Sequence, residues 1–216
     1  MKVGLFGGSF DPPHRGHAAV ARAAAESFQL DAVLFTPTGR QPMKPHGASA
    51  NYVDRMTMAS LICSHDARFQ LSGLDAPLSD HRPNYTVDTL EQLRTAYPLS
   101  TQLFAIVGAD SFLELPRWHR AQCLPALAEW IVVSRPGFSL QSLEATKFLS
   151  YAGSRVHLLG GVHEDISATM LREQLARGED CSAFLLPEVE AYIREHHLYE
   201  SAGGTSGTAN KSDYHD

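Results

Sequence analysis

Behind a first short apolar run the chain reads Gly7, Gly8, Ser9, Phe10, Asp11, Pro12, Pro13, His14, Arg15, Gly16, His17. A packed core has no need of these residue types in this order, but a site does. Two glycines let the backbone come close to a ligand with no Cβ in the way, and two prolines stiffen the turn that follows. A helix starting near Gly16 would turn its first amides outward, unpaired, with the positive end of its dipole behind them, a setting for a phosphate. His14 and His17 stand three apart, so they would aim their ring N–H groups at the same anion from one side of the turn. Together these parts make a phosphate clamp. Taken alone, a His-x-x-His pair fits a surface helix cap equally well. A zinc site would need further ligands, which no other Cys or His pair of suitable spacing supplies, so no metal ligands are assigned.

The familiar glycine fingerprints do not account for this loop. No G-x-G-x-x-G and no G-x-x-x-x-G-K-[ST] occurs in the chain, so neither a dinucleotide site nor a P-loop of the usual kind is signalled. G-x-S-x-G is also absent, which weakens a serine hydrolase.

The elements that must position the loop follow from apolar patterning. The run 2–7 reads as a strand ending in glycine, and the Ala-rich stretch 16–28 as a helix with a polar face. Strands are expected at 31–37, 69–72, 102–108, 130–137 and 155–159, and helices at 52–64, 86–97, 110–115, 140–150, 168–177 and 188–196. This alternation implies an α/β fold, doubly wound, with a mostly parallel sheet covered by helices on both faces. Such sheets bind ligands outside the carboxyl ends of their strands, where the strand order reverses. The loops after strands are therefore the ones to inspect. Two stretches stand apart from the pattern: a Pro- and Gly-rich loop at 37–50, too long for a plain connection, and a small-residue polar tail from about 200 to 216. One domain over 1–199 is expected, with 200–216 a disordered tail.

Composition narrows the function classes. At 216 residues, 44% hydrophobic and 19% charged, the chain has the balance of an ordinary globular domain. A net charge of -6 argues against gripping a nucleic-acid backbone, though a few placed cations can still hold a small anion. Cys63, Cys123 and Cys181 are odd in number and widely spaced, so no disulfide framework is expected. With no run of about 18 apolar residues and no signal-peptide core, no membrane span is expected and the cytoplasm is the default location.

The opening string resembles the leading motif of the H-x-G-H nucleotidyltransferases, specifically the G-G-[ST]-F-D-P-x-H-x-G-H of bacterial nicotinate-nucleotide adenylyltransferases. Further stretches are similar to that family in the same order. "PMKPH" (42–46) stands where the family has a lysine-bearing loop, "NYTVDTL" (84–90) resembles its Y-T-x-D-T-L, and "GADSFLELPRWHR" (108–120) its G-x-D-x-x-x-x-L-x-x-W. "VVSRPG" (132–137) and "ISATMLR" (166–172) resemble its R-P-G and I-S-x-T-x-[IL]-R segments, so the likeness runs from residue 1 to about 199.

The resemblance implies a Rossmann-like nucleotidyltransferase fold. It also implies transfer of the adenylyl group of ATP to nicotinate mononucleotide, with pyrophosphate leaving, in NAD biosynthesis. Mg²⁺ would arrive with ATP, since the sequence shows no dedicated cage for it. On this reading His14, His17, Lys44 and Arg172 are catalytic. Gly7, Gly8, Ser9, the Phe10 amide, Gly108, Asp110, Ser167 and Thr169 join His14, His17 and Arg172 in binding ATP. Ser9, Lys44, Tyr85, Thr86, Trp118 and Arg135 receive nicotinate mononucleotide. Thr86 is expected to cap the helix it begins, and Ser167 or Thr169 the later one. The 39–50 stretch departs from the family's commoner P-P-H-K wording, which leaves Lys44, Arg40 and His46 all as sources of the loop cation. Alternatives are a sister adenylyltransferase using nicotinamide mononucleotide or phosphopantetheine, and a nucleotide-binding regulator without turnover. The partners implied are small molecules, not nucleic acid or membrane. A homo-oligomer is left open.

Overall fold

The computed structural model describes residues 1–43, 47–134, 155–162 and 166–200. Lys44, His46, Arg135, the helix expected at 140–150 and the tail from 201 lie outside the described residues. The chain alternates β1 (Lys2–Gly8), α1 (Arg15–Phe28), β2 (Ala32–Pro37), α2 (Tyr52–Cys63), β3 (Phe69–Leu71), α3 (Thr86–Ala96) and β4 (Gln102–Gly108). It continues through α4 (Ala109–Leu113), two 3₁₀ turns, α5 (Leu124–Leu127), β5 (Glu129–Val133), β6 (Val156–Leu159), α6 (Ala168–Ala176) and α7 (Pro187–Glu195).

Six strands pair in the order β3-β2-β1-β4-β5-β6, every pair parallel. The expected sheet is therefore present, and wholly rather than mostly parallel among the described residues. Parallel neighbours need crossovers, and the helices that make them bury both faces of the sheet. Val3 and Leu5 of β1 pack with Leu90, Leu93, Phe112 and Trp130 on the face of α3 and α4. Phe6, Phe35 and Ile106 pack with Ala18, Ala21 and Ala25 of α1 and with Met58, Leu171 and Ile193 on the other face. The alanines bring α1 close to the strands. Gly4 of β1 is also tightly packed: a Cβ there would sit 2.9 Å from Cδ1 of Leu30, just beyond α1, and 3.1 Å from Cδ1 of Ile106 in β4.

The strand order reverses between β1 and β4. Their carboxyl ends diverge there, since β1 runs into a loop toward α1 and β4 into α4, and a crevice opens between them. β5 stops at Val133, short of the 137 expected, and the 3₁₀ turns at Leu115–Arg117 and Ala121–Cys123 were not signalled by periodicity.

Candidate active site

A cleft of about 750 Å³ lies at the reversal point. Gly7, Gly8 and Ser9 wall it from β1, Gly108 and Asp110 from β4 and α4, Tyr85 and Thr86 from the start of α3, and Trp118 from the turn beyond α4. Eight residues expected from sequence, drawn from four separate stretches, thus meet around one space. A Cβ built on Gly7 or on Gly108 meets no atom within 4 Å. Neither glycine is required by packing, and each leaves open room in the cleft wall.

The start of α3 opens into this cleft without a side-chain cap. Its N-cap is Tyr85, not the expected Thr86, and no cap hydrogen bond is made from the side chain. Thr86 is already helical because Tyr85 holds the extended conformation that precedes the first turn. The Asp88 amide already donates to the Tyr85 carbonyl at 3.0 Å, which leaves the Thr86 and Val87 amides and the helix dipole as a setting suited to a carboxylate. The Tyr85 ring stacks on His119 with centroids 4.2 Å apart, and Trp118 meets the buried Trp130 edge-on at 6.4 Å. Both aromatic residues line the cleft while being held from behind.

The two histidines do not line this cleft; they are tied to the loop that walls it. His14 is the N-cap of α1, and its rings and those of His17 lie 3.8 Å apart. The His14 amide donates to His17 Nδ1 at 3.1 Å, which assigns the proton of neutral His17 to Nε2. The Phe10 ring, 1% exposed, packs on His17 at 4.9 Å, so Phe10 has only its backbone to offer a ligand. His14 is 7% exposed, and its Nδ1 is buried with no hydrogen-bond partner among the described residues. Burial lowers the His14 pKa to about 4. Burial, then the neighbouring His14, holds His17 well below the usual imidazole range. Both rings are therefore neutral N–H donors at pH 7, fitted to bind an anion without carrying a charge of their own.

Arg172 comes to the same loop from α6. Ser167 caps that helix as expected, its Oγ accepting from the Met170 amide at 3.2 Å. Arg172 donates Nη1 to the backbone oxygen of Asp11 at 2.7 Å and Nη2 to Thr169 Oγ1 at 3.2 Å. Thr169 is thus a partner of the arginine rather than the cap. Arg40, one of three sources considered for the loop cation, donates to the His81 carbonyl at 2.6 Å and does not line the cleft.

Several residues that hold the site carry no spacing signal of their own. Arg55, 2% exposed, reaches from α2 to the carbonyls of Ser9 at 2.7 Å and Ala50 at 3.2 Å, joining the first loop to the second. Its one trace in the sequence is a lone cation on the helix face that carries Met58, Ala59 and Ile62. Asp75 lines the cleft floor, accepts from Thr89 Oγ1, and has its carboxyl pKa raised by burial. Its backbone oxygen receives the Gly39 amide at 2.7 Å, and a Cβ on Gly39 would lie 2.5 Å from Pro77 N. That close approach, and not a turn, is why position 39 is glycine. Among the described residues no group of three His, Cys, Asp or Glu side chains is placed to hold a metal ion, and no helix is long and apolar enough to cross a membrane.

Comparison with known proteins agrees with this geometry. Residues 5–174 match the cytidylyltransferase-like family model. A protein of Solibacter usitatus named "Probable nicotinate-nucleotide adenylyltransferase" is 38% identical over 200 residues, covering 92% of this chain and 100% of the relative. Relatives bearing the same name from Gloeobacter violaceus and Neisseria meningitidis serogroup B are each 39% identical, covering 94% and 92% of this chain and 98% of each relative. The chain belongs to the nicotinate-nucleotide adenylyltransferase family. It is a nucleotidyltransferase enzyme. The same fold occurs in Plasmodium falciparum nicotinic acid mononucleotide adenylyltransferase complexed with NaAD, at a TM-score of 0.74, 18% identity and coverage of 92% of this chain and 97% of that one. The structure of that protein complexed with APC gives a TM-score of 0.72 at 17% identity, covering 92% and 96%. Among adenylyltransferases of this family, then, the chain has the sheet order and the glycine-walled crevice its opening motif implies.

Proposed function

We propose that the chain transfers the adenylyl group of ATP to nicotinate mononucleotide, giving nicotinate adenine dinucleotide and pyrophosphate. The observation that carries this reading is the placement of two neutral imidazoles, His14 buried and His17 partly buried, beside the loop that walls a crevice large enough for nucleotides. An oxygen of the acceptor's phosphate attacks the α-phosphorus of ATP, and the bond to the bridging oxygen breaks as pyrophosphate departs. Both reactants are anions, so the protein's work is positioning and charge stabilisation rather than covalent chemistry.

Neutral His14 and His17 donate N–H groups to phosphate oxygens, and those bonds strengthen as charge builds on the bridging oxygen. The Arg172 guanidinium forks onto the departing phosphates, a role suited to its planar donors. Gly7, Gly8, Ser9 and the Phe10 amide let phosphates lie against β1, while Asp110 is set to accept from a ribose hydroxyl. Ser167 and Thr169 support α6 and its arginine. The carboxylate of nicotinate takes the uncapped start of α3 beside Tyr85 and Thr86, with the pyridine ring against Trp118. Lys44 and Arg135 complete the charge balance as proposed acceptor ligands.

Mg²⁺ is inferred to enter with ATP. The described residues form no cage for it, so the nucleotide's phosphates and water would be its ligands, and it would neutralise phosphate charge there. Residues 1–199 are inferred to suffice, and the cytoplasm fits a chain with small-molecule substrates. The test is incubation of the purified protein with Mg-ATP and each of nicotinate mononucleotide, nicotinamide mononucleotide and phosphopantetheine, with pyrophosphate and product mass measured. Dinucleotide from nicotinate mononucleotide is expected. Product from phosphopantetheine alone would overturn the acceptor, and ATP binding without turnover would overturn catalysis.

A further inference from the structure

Asp11 sits between β1 and His14 with its carboxylate sealed from water, 4% of the residue being exposed. Three neutral donors meet it. The Ser49 amide donates at 2.6 Å, the Ala50 amide at 2.9 Å and the Tyr199 hydroxyl, from just beyond α7, at 2.8 Å. Arg172 approaches the same residue in a different way, since its Nη1 bonds the backbone oxygen at 2.7 Å and stands 3.9 Å from the carboxylate. A guanidinium beside a carboxylate ordinarily closes into a fork of two parallel bonds. Here that closure is not made: a fork needs an open lone pair on each oxygen, and Oδ1 already receives both the Ala50 amide and the Tyr199 hydroxyl, while Oδ2 receives the Ser49 amide.

We propose that Tyr199 and Asp11 are positioning residues for Arg172. By taking, together with the Ala50 amide, both lone pairs of Asp11 Oδ1, the phenol from the C-terminal end denies the guanidinium a fork, and so keeps it on the peptide oxygen with its remaining donors open to the nucleotide's phosphates. Burial first, and Asp11 next, raise the Tyr199 pKa, so the hydroxyl stays a donor throughout the working pH range. The arrangement gathers four segments at one carboxylate: the β1 loop, the 49–50 amides, α6 and the chain beyond α7. It rests on the assignment of Arg172 to ATP made above.

The experiment is Tyr199→Phe in the full chain, with KM for each substrate and the unfolding transition measured. Freed of its third donor, Asp11 draws Arg172 inward, and KM for ATP rises about fivefold while KM for nicotinate mononucleotide changes less than about twofold. Tyr199→His, which returns a ring N–H to the carboxylate, brings KM for ATP back toward the parent value. In an Asp11→Asn background no carboxylate competes for the guanidinium, so adding Tyr199→Phe moves KM for ATP by less than about twofold. An unchanged KM for ATP in Tyr199→Phe overturns the proposal, as does a rise that persists in full in the Asp11→Asn background. Arg172→Ala separates the two layers. If it leaves ATP use untouched, the assignment of Arg172 itself falls and this inference with it; if it impairs ATP use while Tyr199→Phe does not, only the inference falls.

Discussion

His14 shows how a single side chain is set by its surroundings. Its unfolded-state pKa is 6.5 and burial lowers the folded value to about 4. Between those values the unfolded chain binds a proton that the folded chain refuses, so stability rises with pH across this window and is lost as pH falls through it. The loss amounts to roughly 3 kcal/mol at pH 4 by linkage. Thermal midpoints measured from pH 7 to pH 4 should fall, and His14→Gln should flatten that fall. For catalysis, replacing both His14 and His17 with alanine should cut adenylyl transfer by about 100-fold or more while the folded spectrum is kept. Undiminished transfer in the folded double variant would remove the imidazoles from the mechanism. The pair was legible through the whole string 7–17 and its family resemblance, since a His-x-x-His pair alone reads as a surface helix cap. Asp11 was not, although it lies in the same string, because a lone carboxylate gives no hint of the Ser49, Ala50 and Tyr199 donors that meet it.

Elements place these side chains, and the glycines at their ends show where packing stops and the open cleft begins. Gly108 ends β4 and precedes α4 with nothing near its absent Cβ. Gly108→Ala should therefore leave the thermal midpoint almost unchanged, yet raise KM or lower kcat by about tenfold or more because the methyl enters the cleft. A fall in stability with unaltered kinetics would mean that the space is not used by substrate. Gly39→Ala should do the reverse and destabilise the fold, because its methyl would strike the Pro77 backbone. Most helices and strands lie within a residue or two of their sequence-expected bounds, since apolar periodicity reports which face is buried. Caps and stops were less legible. Tyr85 rather than Thr86 caps α3, and β5 ends early, because those ends depend on backbone conformation and neighbouring strands rather than on residue type.

Over the whole molecule, α7 and the residues before it close the fold back onto α1 and α2. The Arg15 amide donates to Phe184 O at 2.8 Å, Tyr192 donates to Asp54 at 2.9 Å, and Val189 and Ile193 are buried in the core shared with α1 and α2. Ile193→Ala should cost about 2–5 kcal/mol in denaturant unfolding as a large-to-small core change. Removing residues 201–216 should leave both stability and transfer within error, because that stretch is small, polar and without an apolar pattern to bury. A loss on that truncation would show that the tail belongs to the fold. The amino-acid sequence alone determined the α/β class and the helix and strand succession, because periodicity is a local property, and its motif resemblance picked out eight of the residues that line the cleft. It did not determine that the histidine pair stands off the cleft it serves, or that Arg55 bridges two loops. Nor did it determine that a phenol 188 positions away meets the Asp11 carboxylate. Those were decided by tertiary structure, since a buried polar group must find its partners wherever the folded chain brings them, at whatever distance along the sequence.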